Sequence, residues 1–246
     1  MTGLRDKVAL VTGGSRGMGA AIAGRLAREG ADVALTYISG GGKARTVIAE
    51  IERAGRRGLA IAADNADPAA VRAAVEQTVA ALGRLDILVN NVGIFVVKPL
   101  DALTLDDFER TVAINVRAVF VASQAAAAHM GDGGRIITIG SNLAEHVPMP
   151  GVSLYSLSKA ALIGFTKGMA RDLGPRGITV NIVHPGSTDT DMNPANGEYA
   201  DAQRNRMAIP RFAEPRDIAG LVAWIASEES RFMTGAGLTI DGGTNA

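Results

Sequence analysis

Lys7 to Gly19 reads KVALVTGGSRGMG, an apolar run that passes straight into a glycine-rich turn. Val8 to Val11 has no polar interruption, which is the pattern of a parallel strand covered on both faces. Gly13, Gly14, Gly17 and Gly19 then strip side chains from the turn. The backbone there can bend sharply and aim N–H groups at an anion on the positive end of a following helix. The stretch is therefore a candidate pyrophosphate cradle. Its spacing departs from G-x-G-x-x-G, and a glycine turn of this kind also serves as an ordinary tight strand-to-helix connection.

Outward from this stretch, strands and helices alternate. A helix carrying Ala21, Ile22 and Leu26 stops at Gly30, and a strand follows from Asp32 to Tyr37. A helix near Lys43 to Arg53 leads to a strand from Gly58 to Ala63 that ends at Asp64. Asp67-Pro68 reads as an N-cap with proline at the first helical position, so Asp67 has a structural explanation that Asp64 lacks. That helix ends near Gly83, and Asp86 to Val89 is a fourth strand running into Asn90-Asn91-Val92-Gly93. Arg135 to Ile139, Ile178 to Val183 and Gly237 to Ile240 supply three more strands. The alternation predicts an α/β fold: a doubly wound, Rossmann-type parallel sheet of about seven strands with right-handed crossovers and helices on both faces. With 246 residues, 47% hydrophobic content and no linker-like segment, the chain is expected to form a single domain.

Lys plus Arg and Asp plus Glu number 25 each, so no global field attracts nucleic acid or an anionic membrane. The absence of cysteine excludes disulfides and thiolate metal sites. No secretory signal is apparent, and Ser, Gln or His interrupt the longest apolar stretches before membrane-spanning length, so a cytoplasmic protein is expected. His129, His146 and His184 lack metal-ligand spacing, and no catalytic metal is expected.

Thr104 to Met130 opens with a capping-box pattern, Thr104-x-x-Asp107, and predicts one long helix with Phe108, Val112, Asn115, Val119 and Ala122 on its apolar stripe. Asn115 is out of place there. A buried amide must find partners, either as a packing residue bonded to a neighbouring loop or as a functional group. Ser141 lies just past a strand, at the sheet end where open α/β folds bind ligands. Tyr155 and Lys159, four apart at the start of a helix running to Leu173, share one face. An adjacent ammonium is expected to lower the tyrosine pKa and make the pair an acid/base couple; taken alone, the pair also fits a surface tyrosine stacked on a lysine stem.

Thr12-Gly13-x-x-x-Gly17-x-Gly19, Asp64, Asn90-Asn91-x-Gly93, Asn115, Ser141, Tyr155-x-x-x-Lys159 and Pro185-Gly186-x-x-x-Thr190 together resemble the short-chain dehydrogenase/reductase family in its short single-domain form, with the 3-oxoacyl thioester reductases as the nearest branch. The resemblance spans essentially the whole chain. It implies that Tyr155 donates a proton to a carbonyl oxygen, Ser141 hydrogen-bonds that oxygen, Lys159 holds the nicotinamide ribose, and Asn115 holds a water linking Lys159 to solvent. It also implies a cofactor-binding set of Gly13, Ser15, Arg16, Gly17, Met18 and Gly19 in the loop, Asp64 and Asn65 at the adenine, and Asn91 at a ribose. Gly93, Tyr155 and Lys159 belong to the same set, and Pro185, Gly186, Thr188 and Thr190 lie at the nicotinamide. Val92 stands where the family usually has alanine, and His184 before Pro185 carries no assigned role.

The strand ending Thr36-Tyr37-Ile38-Ser39 has no carboxylate to bind a ribose 2′-hydroxyl, while Arg16, Ser39 and Lys43 would meet a 2′-phosphate with donors and positive charge. NADP(H) is therefore the preferred cofactor. Acceptance of NAD(H) as well is the alternative if Arg16 and Lys43 are solvated surface charges. Residues 187 to 211, long and irregular, are expected to form a mobile substrate lid. The resemblance implies a carbonyl reductase or alcohol dehydrogenase, acting on a 3-oxoacyl thioester as in the nearest branch or on a small ketone or secondary alcohol. Only Arg204, Arg206 and Arg211 offer a basic patch near the lid for an acyl carrier protein. The competing reading is a nucleotide-binding regulatory protein with little turnover. A homotetramer with two-fold axes is expected by the same resemblance.

Overall fold

In the computed structural model, which describes residues 3–246, the four apolar residues of β1 (Val8–Val11) feed two separate cores. Ala9 and Val11 point to one side of the sheet, Val8 and Leu10 to the other. A strand buried on both faces has no position for a polar side chain, which is why the run is unbroken. The remaining strands are β2 (Asp32–Tyr37), β3 (Gly58–Ala62), β4 (Ile87–Asn90), β5 (Arg135–Ile139), β6 (Thr179–Pro185) and β7 (Gly237–Ile240). Among the described residues they form one parallel sheet of seven strands in the order β3-β2-β1-β4-β5-β6-β7.

The helices are α1 (Gly17–Arg28), α2 (Gly41–Arg53), α3 (Pro68–Leu82), α4 (Leu105–Val112), α5 (Ala118–His129), α6 (Ser153–Leu173), α7 (Ala200–Arg204) and α8 (Pro215–Ala226). α1, α2 and α8 cover one face, α3, α5 and α6 the other. Side chains such as Leu10, Leu35, Leu88 and Ile137 are fully buried between them, each worth about 1.5–3 kcal/mol over exposure. The chain order reverses between β1 and β4, which opens a crevice at the carboxyl ends of those two strands.

Local signals are realised where expected. Asp67 caps α3, accepting the Ala69 N–H at 2.8 Å, with Pro68 at the first position. The Thr104–Asp107 capping box starts α4. The single helix expected over 104 to 130 is instead interrupted by a π-helical turn, Ala113–Arg117, that contains Asn115. The extra residue in that turn widens the backbone, a feature that recurs at functional sites. β6 starts one residue later than expected and runs on to Pro185, because His184 and Pro185 pair with Thr239 and Ile240 of β7.

The expectation that apolar stretches fall short of membrane length needs correcting for Leu105–His129, which is long and apolar enough to cross one. Its most apolar window is 56% buried inside the protein. Ala118, Ala122, Ala125 and Ala126 pack there against the sheet and α3. The same apolar composition serves a core helix.

Candidate active site

The glycine loop packs tightly against its neighbours. Gly13 and Gly17 sit in the left-handed region at φ +65° and +54°. A Cβ on Gly19 would come within 2.3 Å of the Gly13 carbonyl oxygen, and one on Gly13 within 2.7 Å of Val92 Cγ2. The positive φ favours glycine at position 13, and Val92, bulkier than the usual alanine, crowds a side chain there further. The Gly13 N–H donates to Thr36 Oγ1 at 2.9 Å, and Asn91 Nδ2 donates to the Thr12 and Gly13 carbonyls at 3.0 and 3.3 Å. Ser15 and Met18 are half-buried and Arg16 is exposed. Arg16, the N-cap of α1, supplies no side-chain cap, so the first-turn N–H groups are left to an outside anion.

Around the loop lie the other residues expected at the cofactor, all at carboxyl ends of strands. Ser39 is exposed beyond β2. Beyond β3, Asn65 is buried and Asp64, exposed, accepts the Ala66 N–H at 2.8 Å. Gly186 donates its N–H to the Ile240 carbonyl at 3.0 Å, and Thr188 Oγ1 donates to the Gly186 carbonyl at 3.1 Å. Thr190 reaches over the glycine loop, its Cγ2 3.5 Å from where a Gly17 Cβ would lie.

Asn115, Ser141, Tyr155 and Lys159 converge beside this loop. Lys159 Nζ is buried, donates to the Ile139 carbonyl at 2.8 Å, and lies 5.8 Å from the centroid of the Tyr155 ring. Gly93 permits the approach: a Cβ there would sit 3.3 Å from Lys159 Nζ and 3.5 Å from Asn115 Oδ1. Asn115 is fully buried and uses its whole amide. Oδ1 accepts the Ile94 N–H at 2.9 Å, and Nδ2 donates to the Ile94 carbonyl and Ser158 Oγ, both at 3.0 Å. Ser141 is close enough to influence the Tyr155 hydroxyl, and its Oγ accepts the Leu143 N–H at 3.2 Å. Phe95 packs edge-on against the Tyr155 ring at 4.7 Å and 86°.

The electrostatics differ from the expectation of a tyrosine acidified by its lysine. Burial pushes the Tyr155 hydroxyl up, against the smaller opposing effect of Ser141. Burial also brings Lys159 down to about 8. Desolvation disfavours both charged forms.

Two contacts lie outside the residues expected at the site. His184, buried on β6, places Nδ1 3.0 Å from the Ser141 carbonyl oxygen. Burial lowers its pKa, so the ring is neutral at pH 7 and Nδ1–H donates to the strand end that carries Ser141. His184 before Pro185 is unusual in the sequence, but the local pattern gives it no role because its partner lies just past the neighbouring strand β5. Asp191 is the other. Its carboxylate lies 3.1 Å from Lys43 Nζ and 3.6 Å from the Arg16 guanidinium, joining the two cations expected at a 2′-phosphate.

Residues 187 to 211, expected to be irregular, have structure of their own. α7 and the cluster Ala200, Met207 and Phe212 form a small core. Gln203 ties it to Ser187 and Asn193, and the Asp189 N–H donates to the Ala213 carbonyl at 2.9 Å. Among the described residues no group of three His, Asp or Glu side chains could hold a metal ion.

A glycine-rich loop at a helix N-terminus, at the sheet's switch point and beside a Ser-Tyr-Lys-Asn cluster, defines the class, and the chain belongs to the short-chain dehydrogenase/reductase family of oxidoreductases. The family model described as enoyl-(acyl carrier protein) reductase matches residues 13–245. A dehydrogenase/reductase from Sinorhizobium meliloti 1021 is 64% identical with a TM-score of 0.98, covering 100% of this chain and 97% of that one. A short chain dehydrogenase from Burkholderia cenocepacia J2315, solved in complex with NADP, is 64% identical with a TM-score of 0.98 and 99% coverage of both chains. The cyclic-di-GMP-binding biofilm dispersal mediator protein of Escherichia coli K12 is 44% identical over 246 residues, 100% of both chains.

Proposed function

We propose that this oxidoreductase is an NADP(H)-dependent reductase of small apolar ketones, working in reverse on the matching secondary alcohols. The observation that carries the reading is the convergence of Ser141, Tyr155, Lys159 and Asn115 beside the glycine loop. The residues fit the cofactor. The loop's glycines let the backbone fold tightly on Leu35, Asn91 and Val92, α1 presents an uncapped N-terminus, and β2 ends without a carboxylate. Gly13, Ser15, Gly17, Met18 and Gly19 would hold the pyrophosphate, and Arg16, Ser39 and Lys43 the 2′-phosphate. Asp64 and Asn65 would flank the adenine, Asn91, Tyr155 and Lys159 the nicotinamide ribose, and Pro185, Gly186, Thr188 and Thr190 the carboxamide. The NADP complex of the Burkholderia relative supports this choice of cofactor. Bound NADPH supplies a hydride to the carbonyl carbon.

As negative charge builds on the carbonyl oxygen, the Tyr155 hydroxyl gives up its proton and the Ser141 hydroxyl donates a hydrogen bond to it. Tyr155 holds its proton at neutral pH and so is in the form that can donate it. His184 and the Leu143 N–H keep Ser141 in place.

The surroundings favour an apolar substrate. Exposed Phe95 and Val97 follow β4, Val147 follows β5, and Met192 and Tyr199 follow β6, all on the carboxyl side of the sheet. Arg204 is held by Asp201, the Ala195 carbonyl and the Phe212 ring. That leaves Arg206 and Arg211 as a weak docking patch for an acyl carrier protein. Exposed Leu105, Phe108, Phe120 and Leu157 on α4 to α6 give the tetramer reading a surface to bury.

Following NADPH absorbance with a panel of ketones tests the activity. Tyr155→Phe should retain cofactor affinity and lose about 10²–10⁴-fold in kcat, whereas near wild-type turnover in that variant would overturn the mechanism. The cyclic-di-GMP binding for which the Escherichia coli relative is named keeps the regulatory reading alive. Cyclic-di-GMP binding without turnover of any ketone or alcohol would favour it.

A further inference from the structure

We propose that Asp191 is a specificity-determining residue for the cofactor: its carboxylate occupies the anion seat between Arg16 and Lys43 that a 2′-phosphate must take. The inference rests on the NADP(H) reading given above.

The two cations come from separate elements, Arg16 from the glycine loop and Lys43 from the first turn of α2. Asp191 Oδ2 meets both, at 3.6 and 3.1 Å. One oxygen flanked by two cations is the arrangement a phosphate oxygen would adopt there. Lys43, through its hydrogen bond and charge, and then Arg16 hold the Asp191 carboxyl below the usual carboxylate range, so it is ionised at neutral pH.

Asp191 is carried by a segment that already crosses the loop. Thr190 faces Gly17, the Thr190 and Asn193 backbones pair with each other, and Asp189 is bonded to Ala213. NADPH therefore has to displace this carboxylate before Arg16 and Lys43 can bind its 2′-phosphate. NADH has no group to put there and leaves the ion pairs intact. The cost falls on NADPH alone.

All three side chains are more than half exposed. Solvent and salt weaken such pairs, so Asp191 tunes selectivity and does not abolish NADPH binding. A seat that is free only about a tenth to a third of the time weakens apparent affinity about three- to tenfold.

Fluorescence titration of NADPH and NADH into wild-type protein, Asp191→Asn and Arg16→Ala tests the inference. Asp191→Asn removes the charge at nearly constant shape. Its Kd for NADPH should fall about three- to tenfold, with the Kd for NADH and the Tm unchanged. Unchanged or weaker NADPH binding in Asp191→Asn would overturn the proposal, weaker binding meaning that Asp191 orients the cations. In that case a wild-type preference for NADPH, lost selectively in Arg16→Ala, would leave the cofactor reading standing. A wild-type preference for NADH, or equal losses for both cofactors in Arg16→Ala, would bring down the cofactor reading and the Asp191 inference together.

Discussion

Replacing Asn115 with alanine removes three hydrogen bonds from a position with no access to solvent. The Ile94 N–H loses its acceptor, the Ile94 carbonyl loses a donor, and Ser158 Oγ loses the donor it accepts from. Ser158 still donates to the Tyr155 carbonyl at 2.7 Å, so its loss is the smallest. Ile94 is half-buried, so water can partly replace the amide. Taking the lower part of the usual range for two stranded backbone groups, the variant should lose about 2–4 kcal/mol. For a chain of this length that is a fall of roughly 4–16 °C in Tm. Calorimetry gives the shift, and an NADPH-coupled assay gives kcat. Turnover should fall as well, because the 94–95 segment that Asn115 holds places Phe95 against the Tyr155 ring. A Tm within about 2 °C of wild type would refute the reasoning, since it falls below the smallest shift expected for two stranded groups.

Gly19→Ala should weaken NADPH and NADH equally and cost about 1–3 kcal/mol, because the new Cβ meets the Gly13 carbonyl at 2.3 Å and Asn91 Nδ2 at 2.6 Å, both part of the loop's own scaffold. Full cofactor affinity at an unchanged Tm would contradict it. The folded-state pKa of His184 lies below its ordinary 6.5, so the unfolded chain binds the extra proton first as pH falls. The stability this residue contributes is present above pH 6.5 and is lost below it. Wild type should accordingly lose Tm faster than His184→Gln between pH 7 and about 5, and parallel curves would remove His184 as the source. Light scattering should show a tetramer, with a dimer as fallback. A monomer at micromolar concentration would rule out the use of the α4 to α6 surface for assembly.

Much of the fold was legible because its determinants are local. The apolar run Val8 to Val11, the Asp67-Pro68 cap and the Thr104–Asp107 box each act through neighbours a few residues away. The four-residue spacing of Tyr155 and Lys159 likewise places them on one helix face by helical geometry alone. Tertiary structure decided what depends on partners far along the chain. Asn115 lies in a π-helical turn and bonds Ile94 and Ser158, so its backbone irregularity is stabilised by segments 21 and 43 residues away. The direction of the Tyr155 pKa followed from burial, which no residue spacing reports. His184 reaches Ser141 across 43 residues, and Asp191 meets Lys43 across 148. Periodicity and capping encode the conformation of neighbouring residues, whereas desolvation and ion pairing depend on which strands come to lie side by side, and only the folded sheet sets that.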